Sequence, residues 1–318
     1  MPSADDRATV LVTGGAGFIG SHVVDALVEA GHRVLVVDDL SSGRRENVHR
    51  EAALHVLDIR SPEAAELIRR EGVEILVHHA AQMDVRRSSE DPAFDAEVNI
   101  LGTLNLLSAA VQAGTRQVVF ASTGGAIYGE QEVYPASEEH PERPVSPYGV
   151  SKLADERYLF YFHQQHGLDA TCLRYANVYG ERQSPHGEAG VVAIFLNRLV
   201  KGETCTINGD GLQTRDYIHV SDVVRANLAV LGQPGFHVYN VGTGQETSVV
   251  ELYRTLAKAI ASDLKPTFGP PKPGEQRRSS IDSNRLRKDF PELPQGLSLS
   301  EGVETTATWF RATSSSAG

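Results

Sequence analysis

Short apolar runs alternate with longer amphipathic stretches through the first 120 or so positions of the chain. Residues 8–13 (ATVLVT), 33–39 (RVLVVDD), 54–58 (LHVLD), 74–81 (EILVHHAA) and 117–122 (QVVFAS) are continuous apolar runs of strand length. Between them, residues 22–31 (HVVDALVEAG), the stretch SPEAAELIRREG and residues 99–114 (NILGTLNLLSAAVQAG) carry helical spacing. The first and last of these stop at Gly31 and Gly114, residues suited to ending a helix. Strand and helix in alternation predict an α/β fold, with a parallel sheet covered by helices on both faces. Strands that are apolar throughout, rather than at every second position, agree with burial on both sides. No internal repeat interrupts this order. The segment PTFGPPKPGEQRRSS (266–280) reads as an ordered loop or mobile cover because of its prolines and glycines. The tail ATSSSAG is expected to be disordered.

Length and composition narrow the classes of function. The 318 residues allow one large domain or two modest ones. A hydrophobic share of 41% and a charged share of 22% are those of an ordinary globular protein. A net charge of −11 argues against a nucleic-acid or acidic-membrane partner, although a local pocket can still take an anion. The two cysteines, Cys172 and Cys205, have no metal-ligand spacing, so no metal site is predicted. The opening MPSADDRATVLV does not read as a signal peptide, and no apolar run reaches the roughly 18 residues of a membrane span. The expected location is the cytoplasm.

The first strand runs into TGGAGFIGSH (13–22), with glycines at 14, 17 and 20. In such a loop Gly14 permits a sharp turn, Gly17 lets backbone approach a pyrophosphate, and Gly20 lets the helix pack closely. The helix N-terminus then offers free N–H groups to phosphate. The motif lies between a strand and a helix at the start of a βαβ unit, which is the context it requires. Asp38 ends the second strand, where a carboxylate can accept from both ribose hydroxyls of an adenosine. It would repel a 2′-phosphate, so NAD is favoured over NADP, with Arg44 and Arg45 nearby as the contrary sign.

Downstream lies SPYGVSK, residues 146–152. If it enters a helix, Tyr148 and Lys152 stand at i and i+4 on one face. A phenol is a poor base at neutral pH, and an adjacent ammonium favours its ionised form. The positive nicotinamide ring of NAD would act in the same direction. A phenolate so made could take a proton from a sugar hydroxyl while hydride leaves the same carbon.

Twelve stretches in order, among them TGGAGFIGSH, VVDDLSSG, HHAAQ, FASTGGAIYGE, SPYGVSK, LRYANVYG, GDGLQTRDYIHVSDV and PGEQRR, resemble the extended short-chain dehydrogenase/reductases. Within these the chain resembles the nucleotide-sugar 4-epimerases of the UDP-glucose type. The resemblance implies a Rossmann-type doubly wound sheet with a smaller C-terminal substrate lobe. It implies that Tyr148 is the acid/base and Lys152 its electrostatic partner, with a helper hydroxyl from Thr123 or, second, Ser122. For NAD it implies Gly14, Gly17, Phe18, Ile19 and Gly20 in the loop, then Asp38, Asp39, Ser41, Ser42 and Gly43 after the second strand. Asp58 and Ile59 would meet the adenine, and His79, Ala80, Ala81, Gln82, Asn99 and Tyr175 would line the rest. For a UDP-sugar it implies Asn177 and Arg215 at the diphosphate, Gly190 and Val191 at the pocket mouth, Thr206 and Asn208 beside uracil, and Glu275 at the ribose.

Three positions depart from the family pattern. Gly124 stands where the helper hydroxyl often sits, so Thr123 is preferred. Gly124 and Gly125 also replace the Asp-Glu pair that drives elimination in the 4,6-dehydratases, which leaves epimerisation. Asn208 replaces an aromatic residue often found over uracil. The alternatives are a UDP-glucuronate epimerase, disfavoured by Pro185 and Asn177, a UDP-N-acetylhexosamine epimerase, admitted by the small Ser279, and a silent NAD-binding regulator. Residues 1–177 plus 215–247 are expected to bind NAD and residues 178–214 plus 248–318 the sugar nucleotide. His78 and His79 read as neutral packing residues. By analogy with the family, a homodimer paired through helices 99–113 and 148–166 is expected.

Overall fold

The structure, a computed structural model, describes residues 7–185, 190–272 and 276–315. The chain forms two compact units. The first takes the chain as far as Ile127, then Glu142–Arg174 and Val224–Tyr239; the second takes Tyr128–Pro141, Tyr175–Val223 and the residues from Asn240 onward.

In the first unit, strands β1 (Thr9–Thr13), β2 (Arg33–Asp38), β3 (Ala53–Val56), β4 (Ile75–His78), β5 (Gln117–Thr123) and β6 (Asp169–Tyr175) follow one another. Helix α1 (Phe18–Glu29) links β1 to β2 and α2 (Pro62–Glu71) links β3 to β4. Between β4 and β5 run α3 (Val85–Glu90), α4 (Pro92–Ala96), a π turn (Glu97–Leu101) and α5 (Gly102–Ala113). The short α6 (Gly124–Ile127) follows β5, and the 20-residue α7 (Pro147–His166) precedes β6. The pairs β1–β2, β2–β3, β1–β4 and β4–β5 are all parallel. Apolar strand residues such as Leu11, Leu35, Val37, Leu76, Val118 and Phe120 pack with Leu67, Ile68, Leu106, Leu107 and Leu159 of the helices into one core.

Local chemistry sets the helix ends. Ser61 caps α2 through the Ala64 N–H, Pro62 occupies its first position, and Gly72 ends it in the left-handed region at φ 59°. In α7, Ser146 accepts from the Gly149 N–H at 3.2 Å and Pro147 opens the first turn. Gly149 is required where it stands: a Cβ there would lie 2.9 Å from the Ala126 carbonyl oxygen of α6.

The second unit has β7 (Asn177–Tyr179), α8 (Val191–Val200), β8 (Thr206–Asn208), β9 (Thr214–Arg215) and β10 (Tyr217–His219). Next come α9 (Val220–Ala229), which runs on into the first unit, and β11 (Phe236–Val241). β11 completes a seven-stranded sheet of order β11-β6-β5-β4-β1-β2-β3. The second unit then continues through β12 (Thr247–Ser248), α10 (Val249–Ile260), β13 (Thr267–Gly269), α11 (Asn284–Asp289) and α12 (Leu299–Ser315). Val192, Phe195, Leu196, Leu252, Leu256, Val303 and Phe310 form its core. Buried Asp216 ties its loops together, accepting from the Thr243 hydroxyl at 2.5 Å and from the Thr243, Gly244 and Ile281 N–H groups at 3.0–3.3 Å.

Two expectations about the chain's end are revised. Residues 267–269 of the proline-rich segment form β13, paired in parallel with β8, while 273–275 lie outside the described residues. The tail is helical as far as Ser315, because Val303, Ala307 and Phe310 anchor α12 in the core and carry its weak helix formers along.

Candidate active site

The loop from β1 to α1 has the form its glycines foretold. Gly14 stands at φ +68°, and a Cβ there would meet the Ala80 nitrogen at 2.7 Å. A Cβ on Gly20 would fall 2.2 Å from the Gly14 carbonyl oxygen. Gly17 caps α1 without any side-chain acceptor, so the N–H groups of the first turn, in the Phe18–Ile19–Gly20 stretch, are left to a ligand. That cradle, closed to any side chain and lined with free donors, fits a dinucleotide pyrophosphate.

Asp38 sits at the end of β2, with Oδ2 accepting from the Ala16 N–H and Oδ1 from the Leu40 N–H, both at 2.9 Å. Burial raises its pKa from the ordinary value and these two donors pull it down. Gly43 packs against it, since a Cβ there would lie 2.7 Å from Oδ1. Asp39 accepts from the Ser41 N–H and hydroxyl, and Ser42 is exposed beside them. Asp58 is gripped by Arg60, which holds its carboxyl below the usual range, and the Ile59 carbonyl accepts from Asn105 at 2.8 Å. The His79 N–H donates to the Thr13 carbonyl and the Ala80 N–H to its hydroxyl, and Ala81 follows. Asn99, in the π turn, and Gln82 exchange two hydrogen bonds at 2.8 and 2.9 Å. His78 bridges Thr13 and Thr103 through its two ring nitrogens at 2.6 and 2.9 Å.

Tyr148 and Lys152 lie on one face of α7, four residues apart. Lys152 is buried; its Nζ donates to the Ala121 carbonyl at 3.0 Å and lies 4.4 Å over the Phe120 ring. Its pKa is lowered by burial and held up by the carboxylates of Asp155, Asp95 and Glu156. The environment of Tyr148 reverses the expected direction of its shift. Burial is the main cause that raises its pKa, and the acids Asp95 and Asp155 act in the same direction, Asp155 itself being pushed well above the ordinary carboxylate range by burial. Both effects favour the neutral phenol. Ser122 and Thr123 end β5 and point to opposite faces. The Ser122 hydroxyl is engaged inward, donating to Glu156 Oε1 at 2.5 Å. Thr123 is half-buried at the strand's C-terminal end.

In the second unit, Tyr175 is buried at the end of β6 and Asn177 is exposed at the start of β7. Gly190 caps α8, again without a side-chain acceptor, and Val191 opens that helix. A cavity of about 560 Å³ is lined by Asn208, Gly209, Asp210, Gln213, Gly269, Pro271, Lys272 and Arg277. Thr206 stands next to it in β8, its hydroxyl 3.1 Å from that of Thr267. Arg215 donates to the Thr214 carbonyl at 2.8 Å. Glu275 lies outside the described residues. Sequence reasoning missed Ala121, Glu156, Arg174 and the Asp210–Arg277 pair, because the partner of each is distant in the chain, and it missed Lys272, which lines the cavity. Among the described residues no cluster could hold a metal, and no helix is long and apolar enough to cross a membrane.

A glycine cradle, an acid-ended second strand and a Tyr-Lys helix over a seven-stranded sheet define a dinucleotide-binding α/β protein of the redox-enzyme class. The chain belongs to the NAD-dependent epimerase/dehydratase family, whose sequence profile matches residues 10–242. It is 46% identical over 307 residues to the UDP-glucose 4-epimerase of Mycolicibacterium smegmatis, covering 95% of this chain and 98% of that one. It is also similar to the UDP-glucose 4-epimerase of Thermotoga maritima solved with UDP-glucose, at TM-score 0.93 and 46% identity over 96% and 99% of the two chains. The Thermus thermophilus UDP-glucose 4-epimerase solved with NAD gives TM-score 0.89 and 44% identity over 95% and 99%.

Two results test this geometry. Gly20→Ala should abolish NAD binding, measured by calorimetry; binding at wild-type strength would contradict the cradle. For His78, burial first, then the charges of Lys152 and His79, push the pKa well below 6.5. The unfolded chain takes that proton below about pH 6.5 and the folded chain does not, so stability is full above this pH and falls below it. The slope is at most about 1.4 kcal/mol per pH unit for one such group. Urea unfolding at pH 7 and pH 5 should show a smaller loss in His78→Asn than in the wild type; equal losses would remove His78 as the cause.

Proposed function

We propose that this protein interconverts the C4 epimers of a UDP-hexose, of the UDP-glucose/UDP-galactose type, with tightly bound NAD. The observation that carries the reading is similarity along 95–96% of the chain, through the second unit as well as the first, to UDP-glucose 4-epimerases. A shared cofactor fold alone would not extend past residue 242, where the family profile stops.

Residues of the first unit would hold NAD: the loop from Gly14 to Gly20 at the pyrophosphate, Asp38 at the adenosine ribose, and Lys152 at the nicotinamide ribose. NAD, when bound, supplies the redox chemistry, taking two electrons with the C4 hydrogen and giving them back. Tyr148 takes the O4 proton during oxidation and returns it after the 4-keto sugar has turned over its other face. Thr123 holds O4 by a hydrogen bond, a task supported by the inward commitment of Ser122. Burial, helped by the Asp95 carboxylate, opposes ionisation of Tyr148, so its phenolate would depend on the positive charge that arrives with oxidised NAD. In the second unit, Asn177 and Arg215 would meet the diphosphate, and the cavity by Asn208 would take the nucleobase.

The neutral Gly124 and Gly125 leave the site without an acid and base for elimination. Buried, small Ser279 supports tolerance of an N-acetyl group, so UDP-N-acetylhexosamine is the second substrate to try. We also place the protein in a reducing cytosol as a homodimer. Its two buried free thiols support the first point; the exposed Leu101, Val150, Phe160 and Tyr161 support pairing through the α5 and α7 region.

NMR of a UDP-sugar panel should show UDP-glucose and UDP-galactose interconverting without added NAD. A stoichiometric demand for NAD would instead make the protein a dehydrogenase. Tyr148→Phe should lower kcat by about 10²- to 10⁴-fold with NAD retained; near-wild-type turnover would remove Tyr148 from its role.

A further inference from the structure

The first unit carries a buried charged network that the reaction does not use. Arg174 of β6, 1% exposed, grips Glu156 of α7, also 1% exposed, through Nε to Oε1 at 2.9 Å and Nη2 to Oε2 at 2.5 Å. Arg174 Nη2 also meets Glu142, which in turn meets Arg157. The Ser122 hydroxyl of β5 donates to the same Glu156 Oε1 at 2.5 Å. One residue earlier in β5, the Ala121 carbonyl accepts from Lys152 Nζ at 3.0 Å.

Tyr148, Lys152 and Glu156 are spaced by four along α7 and share one face. Ala121, Ser122 and Thr123 are consecutive at the end of β5. The strand end is therefore fastened to the helix at two neighbouring points, Ala121 to Lys152 and Ser122 to Glu156. Both fastenings fix how far the helix can slide or turn over the strand, and they leave Thr123 on the strand's other face. Bidentate pairing with Arg174 gives Glu156 a single planar orientation, so the Ser122 oxygen meets a fixed acceptor rather than a mobile one.

We infer that Ser122, Glu156 and Arg174 are positioning residues for the reaction: together they set the register of α7 against β5 and so place Tyr148 and Lys152 relative to Thr123. The inference rests on the epimerase reading, and it takes Ser122 out of contact with the sugar. Residues so placed act on the chemistry through others, where a misplacement of about 1 Å can cost on the order of 10² in rate.

The test is Ser122→Ala, which leaves the charged pair intact, measured in the NAD-loaded enzyme. With UDP-glucose, kcat should fall roughly 10- to 100-fold with KM little changed. With no sugar present, ionisation of Tyr148, followed as tyrosinate absorbance with Tyr148→Phe subtracted, should move to higher pH as Lys152 loses its alignment. Ser122→Thr, which keeps a hydroxyl, should restore both. A drop in kcat with the sugar-free titration unmoved would mean that Ser122 touches substrate directly, and would overturn the inference. Unchanged kcat and unchanged titration would reduce the network to a fold stabiliser, with the same consequence. A wild type inactive on every UDP-sugar would sink the epimerase reading, yet the titration would still decide the register. In a Glu156→Gln background the Ser122→Ala loss should vanish; full additivity would again contradict the coupling.

Discussion

Placing a half-buried phenol on the same helix face as a buried ammonium works against the charge on both. Desolvation disfavours the ionised form of each, so burial raises the Tyr148 pKa and lowers that of Lys152. Carboxylates nearby split the two cases. Asp95, Asp155 and Glu156 sustain the ammonium, while Asp95 and Asp155 also disfavour the phenolate, Asp155 being itself pushed well above the ordinary carboxylate range by burial. If Tyr148 is the base, as proposed, the protein alone keeps it neutral, and oxidised NAD would serve both as redox partner and as the charge that arms it.

That arrangement demands a rigid frame, and close backbone approaches provide it. Gly149 lets α6 touch α7 beside Tyr148, and Gly20 lets α1 sit on the loop at Gly14. The buried Arg174–Glu156 pair adds a directional constraint that apolar packing lacks. Breaking such a pair by removing one partner costs about 3–5 kcal/mol, because the other charge is left buried alone. The second unit uses the same device on a smaller scale: Asp216, whose pKa burial raises, is held by four donors from distant loops.

Much of the first unit was legible from the order of residues. Apolar runs marked β1, β2, β4 and β5 to within a residue or so at their starts, because strands buried on both faces carry no competing polar pattern. Helix α1 begins at Phe18 rather than at residue 22, since the glycine loop itself supplies its first turn. The π turn at Glu97–Leu101 left no trace in the spacing, which has no signature for it. At the site, the i, i+4 placement of Tyr148 and Lys152 followed from SPYGVSK alone. The sign of the Tyr148 shift did not, because its largest cause, burial, is a property of the folded chain, and the acids that add to it come from α4 (Asp95) and from further along α7 (Asp155). The inward turn of Ser122 was equally hidden: its acceptor is 34 residues away, on another element.

The central claim, that cofactor charge arms the base, is tested most directly by a spectrophotometric pH titration of the tyrosinate band in NAD-free and NAD-loaded protein, with the Tyr148→Phe variant as blank. Tyr148 should ionise above the ordinary phenol value of 10.0 when NAD is absent and well below it, towards neutrality, when oxidised NAD is bound. The same ionisation pH in both states would contradict the claim.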